Sequence, residues 1–143
     1  MALLNFKIVN VVASTKIKGR VNVEKLSNIK KNATYEPEIF NGLIYRKKEP
    51  KISFIIFSSG TISSVGAKSL DLAKNEIILM VNYIKKLGCI IGEKILGEIK
   101  IVNIVATVNI NMKLDLNMLT SKLENYIYEP EQFPGIIFKP YND

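Results

Sequence analysis

Histidine is absent from this chain, and cysteine occurs once, as Cys89. Zinc and iron sites are built mainly from imidazole and thiolate ligands, so neither metal is expected. A single cysteine excludes an internal disulfide and fits a reducing intracellular setting. Its place next to Gly88 suits a small buried hydrophobe more than a reactive thiol. No glycine loop of the phosphate-cradling kind is present, and no nucleophile elbow. Without histidine, acid–base chemistry would rest on carboxylates, and the paired ones, Glu36/Glu38 and Glu129/Glu131, each flank a proline in an expected turn that points them into water. An enzyme is not expected, nor is any cofactor. The opening Met-Ala-Leu-Leu-Asn-Phe-Lys has no basic region and no long apolar stretch, so no signal peptide is expected. No run approaches the length that crosses a bilayer, so no membrane role is expected.

What is present is an ordinary supply of core residues and an excess of cations. With 48% apolar content in 143 residues the chain can bury one core, shared by two halves. The net charge of +7 favours a polyanionic partner.

The most informative feature is a repeat. Residues 8–50 recur without a gap at 101–143, every matched position offset by 93, with 15 identities in 43 aligned positions. Ile8-Val9-Asn10 matches Ile101-Val102-Asn103, and Val12-Ala13 matches Val105-Ala106. Tyr35-Glu36-Pro37-Glu38 matches Tyr128-Glu129-Pro130-Glu131, and Phe40, Gly42 and Ile44 match Phe133, Gly135 and Ile137. A duplicated unit implies pseudo-two-fold symmetry, which suits a target that is itself roughly two-fold, such as duplex DNA. The first copy continues through residues 51–88, whereas the second stops at Asp143. The expected division is therefore a first repeat over 1–92 and a partial second repeat over 93–143.

Residues 8–15 read as a strand, with Asn10, Val12 and Ser14 on one face and Val9, Val11 and Ala13 on the other. Asn22 is placed to cap a short helix that turns Val23, Leu26 and Ile29 inward; Asp115 caps its counterpart, with Leu116, Leu119 and Leu123 inward. After a turn at Glu36-Pro37-Glu38 comes a strand over 43–46, and Glu49-Pro50 marks a hairpin turn. Residues 51–58 and 61–66 are two more strands, joined tightly through 58–60. A long helix follows over 69–87, with Ala73, Ile77, Met80, Val81, Ile84 and Leu87 as its buried stripe and Gly88 as the residue that ends it. The strand over 51–58 is apolar on both sides: Ile52, Phe54 and Ile56 form one face, Ile55 and Phe57 the other. Helices on one side of an antiparallel sheet leave the second face polar as a rule. The strand is either sandwiched between two layers or carries an apolar binding surface.

Taken together and in order, Ile-Val-Asn-Val-Val-Ala-Ser-Thr, Tyr-Glu-Pro-Glu-x-Phe-x-Gly-Leu-Ile-Tyr-Arg, Glu-Pro-Lys, Ile-Ile-Phe-Ser-Ser-Gly and Gly-Ala-Lys-Ser resemble the TATA-box-binding protein family, in wording closer to its archaeal branch. The resemblance covers nearly the whole chain. It implies an α+β saddle: a curved antiparallel sheet, concave underside on DNA, helices on the convex back. The family is itself the standard instance of minor-groove binding with apolar wedges. It further implies an archaeal cytoplasmic (nucleoid) setting rather than a eukaryotic nucleus.

Carried over by position, Asn10 and Asn103 match asparagines that donate to base edges, since an A·T pair shows only the acceptors A N3 and T O2 in the minor groove. Val12 and Val105 match apolar neighbours that would leave the guanine amine buried without a partner, at a cost of about 1–3 kcal/mol. Phe40 and Phe57 match a wedge pair at one end, and Phe133 the first wedge at the other. Arg46 and Lys139 match phosphate contacts. Ser14, Ile55 and Thr107 fall on the same underside. Glu129, Glu131 and Gln132 match the stirrup that receives transcription factor B and, through it, RNA polymerase. The pattern is broken at 61–65, where Thr61 replaces a cation, Ser63 an apolar base contact and Val65 a polar one. Read without the family, the asparagines could instead satisfy backbone groups, Phe40 and Phe133 could be core residues, and the glutamates could be solvated turn charges.

The expected function is a transcription initiation factor, or divergent paralogue, on A·T-rich duplex DNA. The alternatives are a regulator or decoy that keeps the transcription factor B contact but binds DNA poorly, and an accessory domain of a nucleic-acid enzyme. The short second copy leaves a strand over 135–139 and the 116–123 helix without partners, so a homodimer through the second half is expected.

Overall fold

The computed structural model describes residues 5–140. The chain forms two compact units that divide between Asn109 and Ile110. In the first, β1 (Phe6–Lys16), β2 (Arg20–Val21), α1 (Val23–Ile29), β3 (Ala33–Thr34), β4 (Leu43–Lys47), β5 (Ile52–Ile56), β6 (Thr61–Ala67), α2 (Leu70–Lys86), β7 (Ile90–Ile91) and β8 (Lys100–Val108) follow in order. An antiparallel six-stranded sheet runs β3-β4-β5-β6-β1-β8, and β2 pairs separately with β7. This is the α+β fold expected from the sequence.

Period-two alternation sorts the sheet into two faces. Val11, Ala13 and Thr15 of β1, Leu43 of β4, Ile52, Phe54 and Ile56 of β5, and Ile62, Ser64 and Ala67 of β6 are all buried. They meet α1 and α2, whose buried residues are Val23 and Leu26, and Ala73, Glu76, Ile77, Met80, Val81 and Ile84. Fully burying an aliphatic or aromatic side chain contributes about 1.5–3 kcal/mol, so this one-sided layer is the main source of stability. Ile29 and Leu87, expected in the stripes, lie at the helix ends; Ile29 is exposed and Leu87 half-buried.

The ends of the helices are where the local signals put them. Asn22 Oδ1 accepts from Lys25 N at 3.0 Å, and Ser69 Oγ from Leu72 N at 3.1 Å. Gly88 ends α2 with φ +72°, its N–H donating to Lys85 O at 3.0 Å. The tight link between β5 and β6 closes through Gly60 (φ +98°), with Phe57 N–H donating to Thr61 O at 2.9 Å. β5 stops at Ile56, so Phe57 and Ser58 fall in the turn instead of the strand.

The second unit contains α3 (Leu116–Thr120), β9 (Tyr126–Ile127) and β10 (Ile137–Phe138). Its details repeat the first copy at the same offset. Asp115 Oδ1 caps α3 by accepting from Met118 N at 3.1 Å, as Asn22 caps α1. β9 pairs with β10 as Ile127↔Ile137 and Tyr126↔Phe138, which is the register of Thr34↔Ile44 and Ala33↔Tyr45 in β3–β4. Both Glu-Pro-Glu turns close alike: Phe40 N–H donates to Glu36 O and Phe133 N–H to Glu129 O, each at 2.9 Å. Leu116, Leu119 and Leu123, expected to face inward, are only partly buried.

Candidate nucleic-acid interface

Opposite the helices, the sheet of the first unit presents an open face. Residues directly across a ladder share a face, so the registers assign it. Ile44 stands across from Ile55, and Arg46 from Ser53; Ile55 stands across from Ser63, and Ser53 from Val65. Ser63 faces Ser14 across β6–β1, and Lys16 faces Thr61. Across β1–β8, Val12 faces Asn103, Asn10 faces Val105, Lys7 faces Thr107 and Ser14 faces Lys100. The face thus brings together Asn10, Val12, Ser14, Arg46, Ile55, Ser63, Val65, Asn103, Val105 and Thr107. Within the first unit, α1 and α2 bury their stripes against the opposite face, so among the described residues of that unit the two-sided strand is a surface strand.

At its centre the two copies meet as a symmetric quartet. Asn10 opposes Val105 while Val12 opposes Asn103, so each copy offers one amide and one pair of methyls to the other. Bulges in the ladders turn these residues to the face. β1 carries an extra residue between Ile8 and Asn10, β8 one between Ile101 and Asn103, and β6 one at Gly66 opposite Val12. Gly66 sits at φ +105°, and its N–H donates to Asn10 Oδ1 at 2.7 Å. Asn10 therefore satisfies a backbone group, as one reading of the sequence had it. Because an N–H must meet the carbonyl oxygen, this bond also fixes which way round the amide lies, and leaves its Nδ2 donors unengaged among the described residues. Asn103 is exposed.

Phe40 and Phe57 stand together at the β4–β5 end, ring centroids 5.9 Å apart and planes at 65°. Phe40 is 41% exposed, so it is no core residue. Gly42 makes the pair possible: a Cβ there would come within 2.8 Å of Phe40 Cε1 and 3.1 Å of both Phe57 Cε1 and Ile55 Cγ2. Phe133, in the second unit, is 54% exposed and lies over Gly135 in the same way, 2.8 Å from where a Cβ would be. Glu129, Glu131, Gln132 and Lys139 are exposed in that unit.

Three cations of the face were not singled out from the sequence. Lys16 continues the alternation of Asn10, Val12 and Ser14, and was findable from it; it lies across from Thr61, where a cation was expected and is missing. Lys7 and Lys100 reach the face only through the bulges, which no alternation rule reveals. The shared hydroxyls of Ser14 and Ser63, 3.0 Å apart, were likewise invisible before the strands were paired.

Comparison with known proteins agrees with this architecture. The family model described as "Transcription factor TFIID (or TATA-binding protein, TBP)" matches residues 5–87 and 98–143. A TATA-box-binding protein of Methanocaldococcus jannaschii is 41% identical over 133 residues, covering 93% of this chain and 72% of its own. Those of Archaeoglobus fulgidus and Thermococcus kodakarensis are 38% and 37% identical, covering 93% and 97% of this chain and 73% and 72% of theirs. The solved structure of Methanococcus jannaschii TBP superposes with a TM-score of 0.80 at 41% identity, over 94% of this chain and 76% of that one.

Proposed function

Because the chain belongs to the TATA-box-binding protein family, we propose that it is a transcription initiation factor that grips A·T-rich duplex DNA by the minor groove through the open face of its sheet. The observation that carries the reading is the central quartet of Asn10, Val105, Val12 and Asn103. The amide donors meet A N3 and T O2, and the valine methyls leave a guanine amine buried and unpaired. The two-fold placement of the quartet fits a groove whose acceptors are nearly symmetric about an A·T step. Phe40 and Phe57 enter between base steps and unstack them, while Arg46, Lys7, Lys16 and Lys100 neutralise phosphates along the rim. Phe133 and Lys139 serve the second copy in the same roles. In a binding assay, a duplex with a TATA-like run should outcompete a G·C-rich one, and affinity should fall steeply with salt. Equal binding to both duplexes at moderate salt removes the base-reading role and leaves the regulator reading.

The second element of the proposal is recruitment of transcription factor B, and through it RNA polymerase, by Glu129, Glu131 and Gln132. Their turn is stiffened by Pro130 and by the Gln132 N–H and Phe133 N–H bonds to Glu129 O, both 2.9 Å, so two carboxylates are held outward at low entropic cost. Reversing both charges should weaken assembly with transcription factor B and leave binary DNA binding nearly unchanged. A ternary complex that forms normally with the doubly reversed variant removes this role.

A homodimer through the second unit completes the proposal. Among residues 110–140 none is buried, and Met112, Leu114, Met118, Ile127, Phe133, Ile137 and Phe138 are all exposed. A unit so open gains by meeting a second copy.

A further inference from the structure

We propose that Ser63 accepts a hydrogen bond from the exocyclic amine of guanine, so that the DNA site of this protein takes a G·C pair at one position, displaced from its centre toward the Phe40–Phe57 end. The inference rests on the minor-groove reading above and sharpens it. Ser63 Oγ donates to Ser14 Oγ at 3.0 Å, and Ser14 Oγ donates onward to the Ile62 carbonyl at 3.4 Å. A hydroxyl has one proton and two lone pairs. With the Ser14 proton turned to the Ile62 carbonyl, Ser63 gives its own proton to Ser14 and presents its lone pairs on the open face.

An acceptor-only group is the wrong complement for an A·T pair, whose minor-groove edge shows only acceptors, and the right one for the N2 amine of guanine, the sole donor that the groove displays. The contrast lies within one molecule. At the quartet, amides and methyls favour A·T and leave the amine unpaired. Two residues along β6, Val65 presents methyls again. Ser63 is flanked by Ile55 on β5 and Ser14 on β1, so the acceptor stands in a half-buried strand position where an unpaired amine or lone pair is felt. A position built to accept turns discrimination around, instead of merely relaxing it.

The test scans a TATA-like duplex by anisotropy with the full 143-residue chain, replacing one A·T pair at a time by G·C and then by I·C, which lacks the N2 amine. One position, on one side of the centre, should accept G·C within about threefold of A·T. There I·C should bind less well than G·C, whereas elsewhere it should bind better. In Ser63→Val the ratio of G·C to A·T affinity at that position should fall about tenfold or more. Ser63→Ala, which removes the acceptor without adding bulk, should give the same fall, and thermal melts establish that both variants are folded. A G·C penalty equal at every position, or a tolerant position that persists in both variants, overturns the proposal while leaving the general A·T preference intact. A parent that binds all-A·T and all-G·C duplexes alike overturns the minor-groove reading and this proposal with it.

Discussion

At Asn10 a single amide is divided between the fold and the surface. Its Oδ1 satisfies Gly66 N–H at the bulge, at 2.7 Å, while its Nδ2 is unengaged among the described residues. Asn10→Asp separates the two duties, because the substitution keeps an acceptor for Gly66 and replaces donors by an acceptor. The variant should unfold at nearly the parent temperature yet bind a TATA-like duplex about tenfold to a hundredfold more weakly, since acceptors and negative charge now face A N3, T O2 and phosphates. A loss of stability as large as the loss of binding would mean that Asn10 serves the bulge alone. The face on which Asn10, Val12 and Ser14 stand was legible from alternation. The partner of Asn10 was not, since it lies 56 residues away in a bulge that local pattern does not announce. Cys89 was legible too: it is wholly buried, and desolvation pushes its thiol above the ordinary value despite the opposing charge of Lys25.

Among the elements, α2 holds the sheet by more than its apolar stripe. Glu76 interrupts that stripe, with a side chain 7% exposed, and meets Lys47 Nζ of β4 at 2.7 Å. Nearby, Lys30 at the end of α1 lies 4.6 Å from the Tyr83 ring and 5.1 Å from that of Tyr45, so cations tie both helices to β4. Helical period puts 76 on the same face as residues 73, 77, 80, 81 and 84, but a carboxylate does not read as a buried residue, and the need for one there arises from Lys47 across the layer. The two-residue strands β2, β3 and β7 escaped for a related reason: they have no period, only partners. Lys47→Met leaves Glu76 buried and unpaired and should destabilise the protein by about 2 kcal/mol, less than for a fully buried pair because Lys47 is 30% exposed. Adding Glu76→Leu should restore most of that loss. Denaturant melts that show additive losses would instead assign the stability to packing of the two side chains separately.

For the whole molecule, the repeat was legible to the level of backbone register, because the same sequence marks closed the same turn twice: a cap at 22 and 115, a Glu-Pro-Glu turn, and an aromatic over a glycine. The two copies nevertheless differ in how much they bury. The first unit has a continuous core behind its sheet, whereas among residues 110–140 the side chains are at best partly buried, around a five-residue helix and a two-stranded ladder. Such a small ladder is marginal in water without cover. Burying even half of the exposed methyls and rings of Leu114, Met118, Ile127, Ile137 and Phe138 would contribute several kcal/mol at about 25 cal/mol per Å². A second copy presents the same apolar surface in a two-fold arrangement, and the net charge of +7 sets a repulsion that salt relieves. Light scattering across a micromolar concentration series should therefore show a dimer that strengthens with salt, while DNA binding weakens with it. Ile127→Lys combined with Phe138→Lys should return the protein to a monomer without disturbing the six-stranded sheet. A parent that stays monomeric and fully folded throughout the series rules the association out.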